Sequence, residues 1–425
     1  MSTEAKTPDI SLELFGGILL ADGAGYYPGL ELMNYVFGCV DGILPDIRDP
    51  RFERIGQDFA RRIVWDQDRF LEDKYPKSPP AEAAEVLGNL LKCLQLEVPD
   101  RTSTNWEAAH FFPYTRSLVH WDARRGRSGQ REVQIERRYL RGGGALAYKV
   151  LRRDPDVRRR DAIRTGFHDL MPSENSTPLE SLTGALARRG HRNPAVSCEI
   201  EAEARPGTDA LDDYYRTGVK SVLSHTDLSS TTRIRAVMIW TGFWLAVRQR
   251  DRSSTQLGLA RMPMVIDCGS GPSQLRRESV RGLKQTVARI GDAARAHLGH
   301  AEKLKPKSRQ DLTGFFTRTL AWVGMLSSFK GRRYFVMKLD LLETLVLAHI
   351  ESGGELPFES FTSVLYENYG LVFGRDAAAR AGFLSRLDAS IFEDNEESFA
   401  AQLKAAGLMH AYSDATRMVG TKALR

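Results

Sequence analysis

The chain has 425 residues, 42% hydrophobic and 27% charged, the balance of a soluble globular chain with material for two or three domains. Its 60 Lys and Arg against 54 Asp and Glu leave a net charge of +6, a mild bias toward anionic partners, with Arg outnumbering Lys about three to one. Four scattered cysteines, Cys39, Cys93, Cys198 and Cys268, form no C-x-x-C pair, which excludes a zinc knuckle or disulfide framework and fits a reducing cytoplasm.

The segment Met1 to Asp9 lacks the basic and apolar regions of a signal peptide. A short apolar stretch, Leu12–Ala21, leads into the Gly-rich turn Asp22–Gly25. Helical patterns follow over Phe52–Leu71 and Ala81–Leu96, separated by Pro76, Pro79 and Pro80. Ser117–Trp121 and Glu132–Glu136 read as strands joined by the polar link Ala123–Arg131, a hairpin with a basic tip. Val196–Ala202 alternates apolar and polar residues and reads as a half-solvated strand. The pair Asp212-Asp213 lies in a polar stretch and reads as surface. Ala236–Val247 is the longest apolar run; it is too short to span a bilayer and reads as a buried helix. Met262–Asp267 reads as a strand, followed by the turn Cys268–Pro272 and a long helix, Ser273 to about Leu298. On that helix Leu283, Val287, Ile290 and Ala294 share one face. Lys303–Lys307 reads as a basic, proline-containing linker.

Positive charge is concentrated rather than spread. Residues 101–170 hold 16 Lys and Arg against 8 acids, and residues 233–309 hold 16 against 5. In the first stretch Arg124, Arg125, Arg127 and Arg131 crowd the hairpin tip, a pattern suited to clamping phosphates. In the second, Arg277, Arg281 and Lys284 share a helix face at i, i+4, i+7, away from the apolar stripe, and could track a phosphate backbone. The spacing of His110, His120 and Asp122 matches no structural zinc pattern, and no Walker loop, H-E-x-x-H helix or Ser-His-Asp signature occurs.

Val265–Gly271 resembles the D-x-G-x-G glycine loop of class I S-adenosylmethionine methyltransferases. That resemblance implies that Asp267, Gly269 and Gly271 frame the cofactor. The sequence departs from the family after the helix, where no alternating β segment follows and no Asn-Pro-Pro-Tyr type motif occurs. Cys268, at the same turn, reads as a buried structural cysteine rather than a nucleophile.

Tyr334–Lys338 reads as a short strand and Leu341–Ile350 as a buried helix ended by Gly353-Gly354. Pro357 opens the next helix, with Phe358, Phe361, Leu365 and Tyr369 on one face and Gly370 as its stop. A third helix covers about Arg375–Leu387. A fourth has Asp394 as its N-cap, Glu397 three residues on, Phe399 and Leu403 as its core face, and Gly407 as its stop. Leu408–Tyr412 and Thr416–Val419 pair as a hairpin. From about Arg333 to Val419 this element order resembles a winged-helix domain, which implies DNA transactions or large assemblies. The charges argue against a DNA-reading helix here: residues 339–414 hold 13 acids and 4 bases, and Asp394, Glu396 and Glu397 would repel a duplex. Such a module docks a protein or packs on the basic half of its own chain.

The expected architecture is α+β, helix-dominant and multidomain: a mostly helical region (1–100), a basic α+β domain (101–330) and an acidic winged-helix-like domain (331–425). The expected role is a cytoplasmic, non-catalytic subunit of a bacterial multi-protein assembly, of the anti-phage or restriction kind. Its basic middle would contact nucleic acid, DNA first, and its acidic C-terminal module a protein partner. No membrane, metal or cofactor is expected. The alternatives are a methyltransferase using Asp267, Gly269 and Gly271, and a scaffold that binds no nucleic acid.

Overall fold

Ala236–Val247 lies in the middle of a 27-residue helix, and every residue of the run is buried. A helix apolar all round needs neighbours on every side, and the fold supplies them. The structure is a computed structural model that describes residues 6–56, 81–96, 110–119, 123–124, 134–135, 140, 142–171, 177–187, 191–197, 204–205, 209–269, 271–299, 303–413 and 416–421.

In chain order, α1 (Thr7–Phe15) and α2 (Tyr27–Phe37) each carry Pro in the first turn, where its missing N–H costs nothing. Strand β1 (Arg51–Gly56) pairs antiparallel with β4 (His191–Ser197). The expected helix from Phe52 is therefore corrected to a strand over 51–56, because pairing with a distant strand overrides local periodicity; residues 57–71 lie outside the described residues. α3 (Ala81–Cys93) follows as expected. Arg116–Leu118 forms a 3-10 turn rather than the start of a strand. β2 (Ala123–Arg124) pairs antiparallel with β3 (Gln134–Ile135), so pairing begins inside the stretch read as the hairpin link. Helices α4 (Gly143–Arg152), α5 (Val157–Leu170) and α6 (Pro178–Ala187) precede β4. β4 begins five residues before the expected strand at Val196, and residues 198–202 lie outside the described residues.

α7 (Ala210–Ser224) leads to the central helix α8 (Ser230–Gln256), whose N-cap Ser229 Oγ accepts from Thr232 N at 3.1 Å. α8 packs against α1, α2 and α7, and against α9 (Ser273–Leu298), α10 (Pro306–Trp322) and α11 (Leu339–His349). Two glycines allow the closest approaches. A Cβ on Gly218 of α7 would lie 2.5 Å from the Trp240 ring, and one on Gly29 of α2 would lie 2.7 Å from Met238. The expected linker at Lys303–Lys307 instead starts α10, with Pro306 at its first position.

β5 (Met264–Val265) ends in the turn before α9. The remaining elements are β6 (Glu355–Pro357), α12 (Phe358–Tyr369), β7 (Leu371–Val372), α13 (Arg375–Arg380), α14 (Ala389–Ala405), β8 (Met409–Ser413) and β9 (Thr416–Gly420). Phe358, Phe361, Leu365 and Tyr369 are all buried, and Gly370 closes α12 at φ 69°, as the sequence implied. α13 stops at Arg380, short of the expected helix end, and a 3-10 turn follows over Phe383–Ser385. The N-cap of α14 is Asp388, which accepts from Ser390 N at 2.9 Å; Asp394 lies inside the helix. This corrects the cap position, since the helix starts a turn and a half earlier than the acidic run suggested. β9 lies between β6 and β8 in a three-stranded antiparallel sheet.

The fold is helix-dominant α+β, and its largest hydrophobic cluster runs from Ile10 to Val419, drawing on all three expected regions. A second cluster joins Val265 and Leu275 to Val372, Ala378, Phe383, Ile391 and Phe392. The C-terminal elements thus pack on the rest of the chain through apolar side chains. β7 adds to β5 in a parallel pair, with Met264 N donating to Gly370 O at 2.8 Å and Ile266 N to Val372 O at 3.0 Å.

Candidate functional site

A broad concavity bearing concentrated charge lies between α9, α10 and the turn before α2, with a volume of about 870 Å³. Gly314 on α10 leaves room for Ala21, where a Cβ would sit 2.7 Å away, so α10 rests directly on the turn. Residues 324–327 and 334–338 then run antiparallel: Ser327 N donates to Tyr334 O at 3.1 Å, Val336 N to Met325 O at 3.1 Å and Lys338 N to Gly324 O at 2.9 Å. Only Leu326 and Phe335 form a true bridge, so the expected strand at Tyr334–Lys338 is an extended segment closing a loop. That loop holds Phe329, Lys330, Arg332 and Arg333 at the cleft.

The floor is aromatic and apolar. Tyr26 and Tyr27 are buried with ring centroids 4.4 Å apart, and Tyr26 lies 6.0 Å from Trp322. Behind them the buried His110 lies 5.1 Å edge-on from Tyr27. Val280, Leu283 and Val287 of α9 add the facing wall. Trp322 and Phe329 line the cleft and keep part of their surface exposed. The rim is cationic: Lys284, Arg318, Lys330, Arg332 and Arg333 line it, with Asp22 as the one acid among the described residues. Arg318 donates to Ala21 O at 2.9 Å and stands 4.0 Å from Asp22. Chemically, such a surface holds a ligand that pairs negative charge with a flat apolar face.

Comparison with protein-family models, with curated proteins and with solved structures found no match for this chain. The geometry therefore carries the functional argument by itself.

Arg277, Arg281 and Lys284 are exposed on α9, as their spacing implied. Arg281 is held by Glu278 at 3.0 Å, and the same carboxylate takes Arg386 at 2.9 Å, so its charge is partly met within the chain. Lys284 belongs both to this face and to the cleft rim. Arg124 lies in β2; Arg125, Arg127 and Arg131 lie outside the described residues, as do His120 and Asp122. Sequence reading missed the cleft because its parts come from residues 21–27, 280–287, 310–322 and 329–333. The available signal was the run Phe329-Lys-Gly-Arg-Arg333, basic and aromatic around a glycine, seven residues beyond Trp322.

At the glycine loop, both oxygens of Asp267 are taken from within. Gly269 N donates to Oδ1 at 2.9 Å and Arg276 Nε to Oδ2 at 2.8 Å, with the Arg276 guanidinium 4.8 Å over the Tyr334 ring. Gly269 and Gly271 have φ of 84° and 106° with nothing within 4 Å of an added Cβ, so the turn needs glycine for its backbone. β5 pairs only with β7 among the described residues, which is not the open parallel sheet such a loop serves. Cys268 is buried and its thiol pKa is pushed far up by that burial, which keeps it protonated.

Asp212 was read as surface and is instead fully buried, paired with the equally buried Arg248, whose Nε donates to Phe15 O at 2.9 Å. The next residue, Asp213, is exposed and takes Arg159 at 2.6 Å. Helical geometry turns adjacent carboxylates about 100° apart, so one faces α8 and the other water. Among the described residues, no group of three His, Cys, Asp or Glu side chains is placed to hold a metal ion. No helix among them is long and apolar enough to cross a membrane.

Proposed function

We propose that this chain is a non-catalytic, nucleic-acid-associated subunit that makes its contact through the cleft between α9 and α10. The observation carrying this reading is the rim of five cations around an aromatic floor. Cations on a rim supply phosphate affinity and aromatic faces supply base contacts. The exposed face of α9 extends the track from Lys284 toward Arg281 and Arg277.

We read the C-terminal elements as a winged-helix-like unit, supported by the order α11, β6, α12, α13, α14, β8, β9 with β9 central in the sheet. Its helix α14 exposes Glu393, Asp394 and Glu397, which disfavour phosphates. Arg375 and Arg417 take two of these carboxylates at 2.9 and 2.8 Å. In this reading α14 faces a basic protein partner, and the nucleic acid lies at the cleft.

Binding of labelled DNA and RNA against salt tests both statements. Affinity should fall with salt, and Lys284→Glu with Arg332→Glu should weaken it about tenfold or more while flattening the slope by roughly 1–2. Replacing Glu393, Asp394 and Glu397 by Gln should leave affinity within about twofold. A salt-independent response, or no loss on charge reversal at the rim, sinks the cleft assignment. A large change on neutralising α14 moves the interface to that helix.

A further inference from the structure

The cleft separates two jobs that a duplex-binding face does not. Its cations sit at the rim, while rings and aliphatic side chains line its interior together with Gln310, Thr313 and Thr317. At about 870 Å³ it has the capacity of a small-molecule pocket, enough for one or two planar bases. In a duplex the base faces are stacked on one another and only edges reach the grooves. In a single strand each base offers a free face that can stack on an aromatic ring. Among the described residues, Trp322 and Phe329 are the two rings that line the cleft and retain exposure, and each lies beside rim cations in sequence or space. Lys338 stands 6.0 Å from the Phe329 ring, adding a further cation at this edge.

We infer that the cleft binds single-stranded nucleic acid, seating an unpaired base against Trp322 and Phe329 while Lys284 and Arg332 hold the flanking phosphates. This rests on the nucleic-acid reading above and adds the substrate class to it. A mononucleotide carries the same base-plus-phosphate chemistry, so the test must separate the two sources. The strand has the advantage at this site because cations line more than one wall: Lys284 from α9, Arg318 from α10, and Lys330 and Arg332 from the loop. Several separated cations match several phosphates along a backbone.

The experiment titrates the full chain with labelled oligo(dT), oligo(U), a duplex of equal length and, as competitor, a nucleoside triphosphate, all at one salt concentration. Single strands should bind at least about tenfold tighter than the duplex. Phe329→Ala and Trp322→Ala should each weaken strand binding roughly tenfold with the salt slope unchanged, and Trp322→Phe should restore most of it. The loop variant guards against a folding defect at Trp322, and circular dichroism checks each protein. Equal binding of strand and duplex, with no effect of the aromatic substitutions, overturns the inference but leaves the nucleic-acid reading standing. Competition by the triphosphate at concentrations well below those of the strand also overturns it, in favour of a free nucleotide. Absence of any nucleic-acid binding removes both. If oligo(dT) and oligo(U) differ more than about tenfold, the sugar or the thymine methyl group is read as well, and the inference stands for the tighter strand.

Discussion

His349 shows how burial sets the behaviour of one side chain. Its Nδ1–H donates to Leu345 O at 2.7 Å, because a carbonyl can only accept, and Nε2 is left to accept from the Tyr369 hydroxyl at 2.9 Å. Trp240 and Phe361 flank the ring edge-on. Burial pushes its pKa down to about 4, so the imidazole stays neutral in the folded state while an exposed one titrates near 6.5. The folded pKa lies below the unfolded one, so His349 contributes stability that is present above pH 6.5 and lost as pH falls through about 4. Asp212 works in the opposite sense. Burial raises it to about 6, and its share of stability is lost as pH rises through that value. Comparing the wild type with His349→Gln isolates the histidine. In urea unfolding between pH 7 and 4 the wild type should lose up to about 3 kcal/mol relative to the variant; parallel pH profiles would contradict this. A residue-scale arrangement of another kind fills the glycine-rich start of α4. The buried Glu31 carboxylate accepts from Gly142 N at 2.9 Å and Gly144 N at 2.7 Å, so the helix N-terminus is occupied by the chain itself.

At the scale of elements, one amide ties α14 to the β5–β7 pair. Asn395 on α14 is fully buried; its Nδ2 donates to Ile266 O at 3.0 Å and Phe373 O at 2.7 Å, and its Oδ1 accepts from Cys268 N at 2.9 Å. One side chain thereby satisfies backbone groups just past both strands of the β5–β7 pair, which is too short to satisfy them by strand pairing. Gln402, two turns further along α14, donates to Cys268 O at 3.0 Å. Asn395→Leu would leave three buried backbone groups unpaired and should cost about 2–4 kcal/mol. Chemical denaturation measures this, and a loss under about 1 kcal/mol would mean that the helix is held by its apolar face alone.

The whole molecule is organised around α8. The three regions expected from the sequence share the same core, and α11 sits directly on α7 and α8. Leu341, Leu342, Leu345, Val346 and Leu347 of α11 are each at most 2% exposed. At roughly 2 kcal/mol for each such side chain, they match the entire net stability of a typical domain, about 5–15 kcal/mol. A chain ending at Lys338 should therefore be insoluble or bind hydrophobic dyes without a cooperative thermal transition. A soluble fragment that melts cooperatively would show that the first 338 residues form an independent unit.

What the sequence alone determined was local. Ala236–Val247 reads as buried because it has no polar face to turn to water, and α9 and α12 are legible from apolar spacing and their glycine and proline signals. Adjacent Asp212 and Asp213 were not separable in sequence, since only the position of α8 decides which one meets Arg248. Nor could Phe52 be placed in a strand before its partner at Val196 was known. The cleft belonged wholly to the tertiary structure. Its rim and floor come from stretches some three hundred residues apart in the chain, and proximity across that distance is set by how helices pack, which no local pattern encodes.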